Sequence, residues 1–223
     1  MKKTVFKSVV TGLLFSIISL QAQAGLLLVE QYDNYWSNNV NSLISYADNN
    51  QADSTGLFGE IDFTDDPNGF AGAISGSNPW PSANGQNLGT NHSLNNTFFA
   101  RITGDFYVDT ADTFWFRTFN DDGVFVYIDG ELVINDSTLH PEMVFEGSKA
   151  LSQGNHSVEL YFFENGGEAS LEFTVADSSR QFAHFNDVNG PVSLNTVAVP
   201  EPSTIAIFAL GLMGIGARRV LKK

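Results

Sequence analysis

Polar and apolar residues alternate with a period of two in two segments of the chain, His156–Phe163 and Leu171–Val175. Alternation of this kind gives a strand one apolar face and one polar face, which is typical of antiparallel sheets with a solvated outer side. No long segment of the body shows the 3.6-residue period of a helix, and the only plausible helical piece lies around Asn38–Tyr46. We therefore predict an all-β body, an antiparallel β-sandwich.

Two glycine-containing turns divide the predicted strands. Asp129-Gly130 lies between the apolar runs Val124–Ile128 and Leu132–Ile134, and this dipeptide is a strong signal for a two-residue hairpin. Asn165-Gly166-Gly167 marks a second tight turn, between the two alternating segments.

A long Gly-, Asn- and Ser-rich segment, residues 69–96, interrupts the strand pattern and predicts a loop. Loops of this length within one domain are uncommon and are either functional or disordered. Trp80 lies in it between Pro79 and Pro81, where its ring would either stack on a sugar or pin the loop to the body. We keep both interpretations and count Trp80 among the carbohydrate-binding candidates.

The amino terminus has the three parts of a secretory signal peptide. Lys2, Lys3 and Lys7 precede the apolar run 9–20, and Ala22-Gln23-Ala24 offers small residues for cleavage. We assign residues 1–24 to the signal peptide, so that the mature chain begins at Gly25. The alternative, an uncleaved anchor, would need about 20 apolar residues rather than about a dozen.

The carboxyl terminus also has three parts. A rigid polar motif, Val199-Pro200-Glu201-Pro202, is followed by the apolar stretch 204–217 and by a basic end with Arg218, Arg219, Lys222 and Lys223. As a helix the apolar stretch would be about 21 Å long, short against a hydrocarbon core of about 30 Å. Positive charge after such a stretch keeps that end in the cytoplasm, which places the body, residues 25–198, outside.

Residues 199–223 resemble the PEP-CTERM sorting signal, which joins a Val-Pro-Glu-Pro motif, a short transmembrane helix and an Arg-rich tail. The resemblance implies processing by exosortase, a membrane enzyme of Gram-negative bacteria that make exopolysaccharide. Pro200, Glu201 and Pro202 would be the sorting motif, and the helix would anchor the protein until the tail is removed. The alternative is a plain membrane tether.

Charge and composition exclude several classes of protein. The chain has 25 acidic and 11 basic residues, and only four of the basic ones lie between Glu30 and Glu201. The interior therefore carries 4 − 25 = −21, which repels phosphate backbones and excludes nucleic acid as a partner. The absence of cysteine removes disulfides, thiolate nucleophiles and Cys-type zinc sites.

The sequence gives catalysis no visible starting point. The four histidines, at 92, 140, 156 and 184, lack metal-type spacing, and we find no nucleophile elbow, phosphate loop or dinucleotide fingerprint. With 25 acidic residues, carboxylate pairs suited to glycoside hydrolysis are easy to find, and none is marked as special. We therefore expect a protein that is not an enzyme.

Residues 99–175 closely resemble the PA14 domain, a β-sandwich found in toxins, glycosidases and yeast adhesins. Its hallmarks are matched by a Gly-Asp-Phe-Tyr strand (104–107), an Asp-Asp-Gly turn (121–123), an Ile-Asp-Gly hairpin (128–130) and a Tyr-x-x-x-Asn-Gly-Gly loop (161–167). A looser match through residues 26–32 implies that the fold begins near Gly25.

The resemblance implies a calcium site. In sugar-binding PA14 domains the pair equivalent to Asp121 and Asp122 is joined by a cis peptide that turns both carboxylates toward one Ca²⁺. Asn165 would add an amide oxygen, carbonyls at 166–168 further ligands, and vicinal sugar hydroxyls the rest of the shell. The residues alone also fit a simple turn, since Asp and Gly are favoured in turns. The pair Asp65-Asp66 is treated as a solvated turn rather than a second cation loop.

The sequence therefore predicts an exported protein of the cell surface or extracellular matrix that binds a glycan or exopolysaccharide with the help of calcium. Two alternatives remain, a structural matrix protein without a ligand and a glycan-processing enzyme. The negative body favours a neutral sugar, or an acidic polysaccharide only if calcium bridges the two.

Overall fold

The computed structural model of the protein describes residues 25–64, 78–80, 97–167 and 169–195. These ranges contain one helix and a succession of strands. In chain order the elements are β1 (Leu27–Asp33), α1 (Val40–Asn49), β2 (Ser54–Phe58), β3 (Ile61–Thr64), β4 (Asn78–Pro79), β5 (Phe98–Val108), β6 (Asp112–Asp121), β7 (Gly123–Ile128), β8 (Glu131–Asp136), β9 (Met143–Leu151), β10 (Gly154–Glu164), β11 (Ser170–Ala176) and β12 (Ser193–Leu194).

The strands form two sheets. The larger has the order β2-β1-β5-β10-β7-β8, with β12 paired to β5 beyond the end of its pairing with β1. The smaller has the order β4-β3-β11-β6-β9. Every pairing except that of β3 with the two-residue β4 is antiparallel. The predicted all-β antiparallel sandwich is confirmed.

The core lies between the two sheets and is built from alternate residues of the long strands. On β10 the inward side chains of Val158, Leu160 and Phe162 are at most 2% exposed. Phe116 of β6 and Phe173 of β11 face them from the smaller sheet, and their rings stack at 6.1 Å. The period-two pattern therefore identified the inward face of these strands correctly.

Helix α1 covers the outer face of the larger sheet. Asn39 caps it, because its Oδ1 accepts a hydrogen bond from the backbone N–H of Asn41 at 3.0 Å. Leu43 on the inner side of the helix packs against Tyr161 and Phe163 of β10, which are 2% and 0% exposed. The expectation of a solvated outer face is therefore wrong for this strand, because a helix lies over it.

Both predicted turns are present, but they serve different purposes. Asp129 and Gly130 have φ of 53° and 74°, and they join β7 to its neighbour β8 in a hairpin. Gly166 and Gly167 have φ of 110° and 123°, and their turn leads from β10 in the larger sheet to β11 in the smaller one. The second turn is thus a crossing between sheets.

Trp80 is a core residue. Its ring is 2% exposed and lies between Phe63 and Phe162, with ring centroids 4.8 Å away on both sides. The indole N–H donates a hydrogen bond to the carbonyl of Ala169 at 3.2 Å. A ring buried in this way offers no platform to a sugar, so the interpretation that Trp80 pins its loop to the body replaces its assignment as a carbohydrate-binding residue.

Several sequence predictions fall on residues outside the described ranges. These are the signal peptide at 1–24, the acidic pair at 65 and 66, most of the loop 69–96, and the sorting signal 199–223 with its apolar stretch 204–217. Within the described ranges, no helix has the length and apolar character needed to cross a bilayer.

Candidate functional site

Three connections between the sheets meet at one end of the sandwich. The first is Asp122 itself, between β6 and β7, and the second is the turn at 165–167, which follows β10 and leads toward β11. The third is the segment 137–142, which leads from β8 to β9. Strand register brings them together, because Asp121 is paired with Ser170 and Gly123 with Phe163.

Three carboxylates converge where these connections meet. Asp121, Asp122 and Glu164 each have an oxygen within 4.8 Å of the others, and we call these three residues the carboxylate cluster. The peptide bond between Asp121 and Asp122 is cis, as the resemblance implied. Asp122 and Glu164 are buried, at 6% and 1% exposure, whereas Asp121 is partly exposed and opens the cluster to solvent.

Backbone amides from the two neighbouring connections orient the Asp122 carboxylate. Its Oδ1 accepts a hydrogen bond from the N–H of His140, and its Oδ2 accepts one from the N–H of Asn165, both at 2.9 Å. The Glu164 carboxylate is held in a similar way, because the N–H of Gly166 donates to its Oε1 at 2.6 Å. The main chain thus fixes two of the three carboxylates.

A buried polar network lies directly beneath the cluster and is centred on Asn120, which is fully buried. The amide group of Asn120 donates to the carbonyl of Asp122 at 2.7 Å and to Oδ2 of Asp136 at 2.8 Å. Its Oδ1 accepts from the hydroxyl of Thr118 at 2.7 Å. The side-chain amide of Asn120 therefore links the backbone of Asp122 to the side chains of Asp136 and Thr118.

His140 and Asp136 complete this network. The Nε2 of His140 lies 2.7 Å from Oδ2 of Asp136, and its Nδ1 lies 2.8 Å from the carbonyl of Pro141. Burial by itself would lower the pKa of His140, but the two hydrogen bonds and the negative charges of Asp136 and Asp122 outweigh it, so the pKa is raised. Both ring nitrogens lie next to oxygens that can only accept, an arrangement that favours the protonated ring, in agreement with the raised pKa.

The predicted site residues have different outcomes. Asp121 and Asp122 lie together in the carboxylate cluster, whereas Trp80 lies in the core. Asn165 contacts the cluster through its backbone N–H, and a role for its side chain as a ligand stays a prediction. Glu164 was not predicted. The sequence does contain a signal for it, because this acidic residue continues the inward-facing series of Val158, Leu160 and Phe162.

The carboxylate cluster fits a hard divalent cation. Calcium takes oxygen ligands at about 2.3–2.6 Å, so two of its ligand oxygens lie at most about 5 Å apart. The spacing of 4.8 Å or less within the cluster satisfies this limit. Carboxylate oxygens are ligands that suit calcium, a hard cation, whereas softer metals prefer sulfur or nitrogen ligands.

The sequence model of the PA14 domain matches residues 53–182, which is more than half of the chain. The chain belongs to the PA14 domain family. Strands β1 and β12 lie outside the matched range, yet both pair with β5. In the structure, the PA14 sandwich therefore extends from Leu27 to Leu194.

Solved structures with the same fold include two PA14 domains. A PA14 sugar-binding domain from an RTX adhesin is 21% identical, with a TM-score of 0.54, and the match covers 73% of this chain and 96% of that domain. The PA14 domain of the antifreeze protein MpAFP is 18% identical, with a TM-score of 0.54 and coverages of 78% and 94%. An anti-sigma factor domain-containing protein (19% identity, TM-score 0.50) is matched over 74% of this chain and 46% of its own length.

The carboxyl-terminal residues 198–220 match the PEP-CTERM protein-sorting motif. No curated protein matches the chain. A PA14 domain followed by this motif indicates a protein exported to the cell surface.

Proposed function

We propose that this protein binds carbohydrate with the help of calcium and that the carboxylate cluster is its binding site. The observation that carries the proposal is the convergence of Asp121, Asp122 and Glu164 within 4.8 Å at one end of a PA14 sandwich. The sugar-binding PA14 domain of an RTX adhesin, which has the same fold, supports this choice of ligand. The proposal makes the protein a binding module rather than an enzyme.

Each part of the site has a separate task. The carboxylates of Asp121, Asp122 and Glu164 would hold the ion, with the amide oxygen of Asn165 as a further ligand. A bound calcium ion supplies open coordination positions, which two vicinal sugar hydroxyls can fill. The backbone amides of His140 and Asn165 fix the direction of the Asp122 carboxylate. The carboxylate would then fix the open coordination positions of the ion, and only sugars whose hydroxyls match those positions would bind.

The first experiment measures thermal unfolding of the full-length chain in detergent, with calcium and with chelator. A ligand that binds only the folded state at one hundred times its Kd adds about 2.7 kcal/mol to stability. We expect calcium to raise the Tm of the wild type and to have little effect on Asp121→Asn, a partly exposed position whose substitution leaves the core intact. Glu131→Gln removes the same charge from an exposed site at the start of β8, away from the cluster, and should respond like the wild type.

The second experiment presents the protein to a glycan array in calcium and in chelator. We expect binding that chelator removes and that Asp121→Asn lacks. A protein whose Tm ignores calcium and which retains no glycan would instead be a structural component of the matrix. Turnover of a glycan by the purified chain would contradict the assignment as a binding module.

The sorting signal leads to a second part of the proposal. Exosortase of a Gram-negative, exopolysaccharide-producing cell would recognise Pro200, Glu201 and Pro202 and remove the tail, leaving the PA14 body on the surface or in the matrix. The apolar stretch 204–217 would anchor the chain only until then. Mass spectrometry of the exported protein should find its carboxyl terminus near the motif, and Glu201→Ala should accumulate uncleaved in the membrane.

A further inference from the structure

The outer face of the smaller sheet differs from that of the larger one. In the described ranges the only helix, α1, packs on the larger sheet, so no helix there covers the smaller one. Strand β6 turns Trp115, Arg117 and Phe119 toward this outer face, since they alternate with side chains that are buried in the core. All three are partly exposed, and their series ends two residues before Asp121. The face therefore leads directly to the carboxylate cluster.

Rings and guanidinium groups alternate along this face. The guanidinium carbon of Arg117 lies 5.2 Å from the ring centroid of Phe119 and 3.8 Å from that of Phe182. The guanidinium carbon of Arg180 continues the series, at 5.3 Å from the ring of Phe182 and 3.9 Å from that of Trp115. We call these five residues the aromatic–arginine row. Attraction between each cation and its neighbouring rings holds the side chains in place, so they lose little conformational entropy when a ligand binds.

The row also contains hydrogen-bond donors. Arg117 forms no salt bridge within the described ranges, and no hydrogen bond there satisfies its Nε. The other three basic side chains of the body, Arg101, Lys149 and Arg180, each pair with a carboxylate. A guanidinium has five N–H donors in one plane, so Arg117 can donate to the oxygen atoms of a ligand.

We infer that the aromatic–arginine row extends the sugar site into a track for a neutral polysaccharide chain. This inference depends on the proposed function and specifies its ligand class, with one sugar at the ion and the following units along β6. Sugar rings have apolar C–H faces and a rim of hydroxyls, which match aromatic rings and guanidinium donors respectively. Trp115 is six residues, or about 20 Å, from Asp121, so the row is long enough for several units. The negative charge of the body favours a neutral chain over an acidic one.

The test compares neutral sugars of increasing length, namely glucose, cellotetraose and cellohexaose, and mannose, mannotetraose and mannohexaose. Their Kd values are measured by NMR titration of the full-length chain in detergent at saturating calcium. We expect the hexasaccharide of at least one series to bind roughly tenfold more tightly than its monosaccharide, because it contacts the row as well as the ion. The hexasaccharide should also shift the indole N–H signal of Trp115, which the monosaccharide leaves unchanged.

Two variants separate the row from the ion site. Trp115→Ala, at the far end of the row, should leave the Kd of the monosaccharide unchanged and weaken hexasaccharide binding roughly tenfold. The repeated units of a longer chain also give a statistical gain in affinity, but that gain would survive the substitution. Arg180→Met, at an exposed position, should likewise weaken only the hexasaccharide, and it keeps the test informative if Trp115→Ala is unstable. Tyr107→Ala removes a partly exposed ring from the outer face of the larger sheet and should bind every sugar like the wild type.

The possible outcomes distinguish this inference from the proposed function. Equal affinity for monosaccharide and hexasaccharide, or a tighter hexasaccharide whose Kd ignores both variants, would overturn the inference and leave the proposed function intact. Self-association of the wild type that Trp115→Ala abolishes, measured by analytical ultracentrifugation, would assign the row to a second copy of the chain and also overturn the inference. Failure to bind any of these sugars, with a Tm that ignores calcium, would remove both.

Discussion

The most informative single substitution in the structure is Asn120→Ala. It removes a fully buried amide that makes hydrogen bonds to Thr118, to the backbone of Asp122 and to Asp136. A buried polar group left without its partner costs about 1–3 kcal/mol. Because His140 still contacts Asp136, we expect a total loss of about 3–5 kcal/mol, a large share of the roughly 5–15 kcal/mol that stabilises a domain.

The assay is urea unfolding of the full-length chain, followed by tryptophan fluorescence and combined with calcium titration under conditions where the variant stays folded. Asn135→Ala, at an exposed position on β8, is the matched control and should change stability by less than about 0.5 kcal/mol. We also expect weaker calcium binding by Asn120→Ala, since the amide holds the backbone at Asp122. A loss of less than about 1 kcal/mol, with calcium affinity unchanged, would refute the role assigned to Asn120.

Asn120→Asp sharpens this test because it keeps the shape of the side chain. It replaces two N–H donors with a carboxylate that faces Asp136 and the carbonyl of Asp122. At pH 7 this variant should therefore be at least as unstable as Asn120→Ala, and it should regain stability when acid protonates the new carboxylate. A variant as stable as the wild type at pH 7 would show that hydrogen bonding at this position is unimportant.

Three further predictions concern a close backbone approach beside the cluster, a buried ring and an exposed ion pair. Gly123→Ala should cost about 1–3 kcal/mol in urea unfolding, because a Cβ there would lie 2.3 Å from an aromatic carbon and 2.8 Å from a backbone carbonyl. Trp80→Phe should cost about 1–3 kcal/mol, because it leaves the carbonyl of Ala169 without its donor, and it should leave sugar binding on the array unchanged. Hydrogen bonds from His156 and a backbone N–H outweigh burial and lower the pKa of Asp129. Because solvent screens this pair, Asp129→Asn should lower the free energy of unfolding by only about 0.5 kcal/mol at pH 7. A carboxylate with a lowered pKa stabilises the fold above its unfolded pKa of about 3.9, and this stabilisation is lost as acid protonates it. The Tm values of the wild type and of Asp129→Asn should therefore converge as the pH falls below about 3.

Strand pattern and turn chemistry were predictable because they are local. The alternation at 158–162 follows from the two-residue period of a strand, and the hairpin at Asp129-Gly130 follows from the positive φ that such turns require. Local patterns could not show that α1 covers the outer face of β10, since contact between these elements depends on how the chain returns over the sheet. In the sequence, this contact was indicated by two aromatic residues, Tyr161 and Phe163, at outward-facing positions of β10.

Part of the candidate site was predictable in the same way. Asp121 and Asp122 were predicted from the Asp-Asp-Gly motif of the family, whose three residues are consecutive in the sequence. Asn120, Asp136 and Glu164 belong to no such motif, and they come together only because three sheet crossings meet at one end. Each lies at an inward-facing position of its strand, at the end nearest the cluster, where the alternating pattern would predict an apolar residue.

The last described strand has a consequence for how the molecule is presented outside the cell. Leu194 of β12 pairs with Phe106, whereas Glu164 pairs with Phe98, eight residues or about 26 Å back along the same β5 strand. Gly25 and Asn195 adjoin each other beside the Phe106 end. Any attachment that follows Asn195 would therefore leave from the pole opposite the three acidic side chains, and a molecule fastened there would hold them outward, toward whatever surrounds the cell.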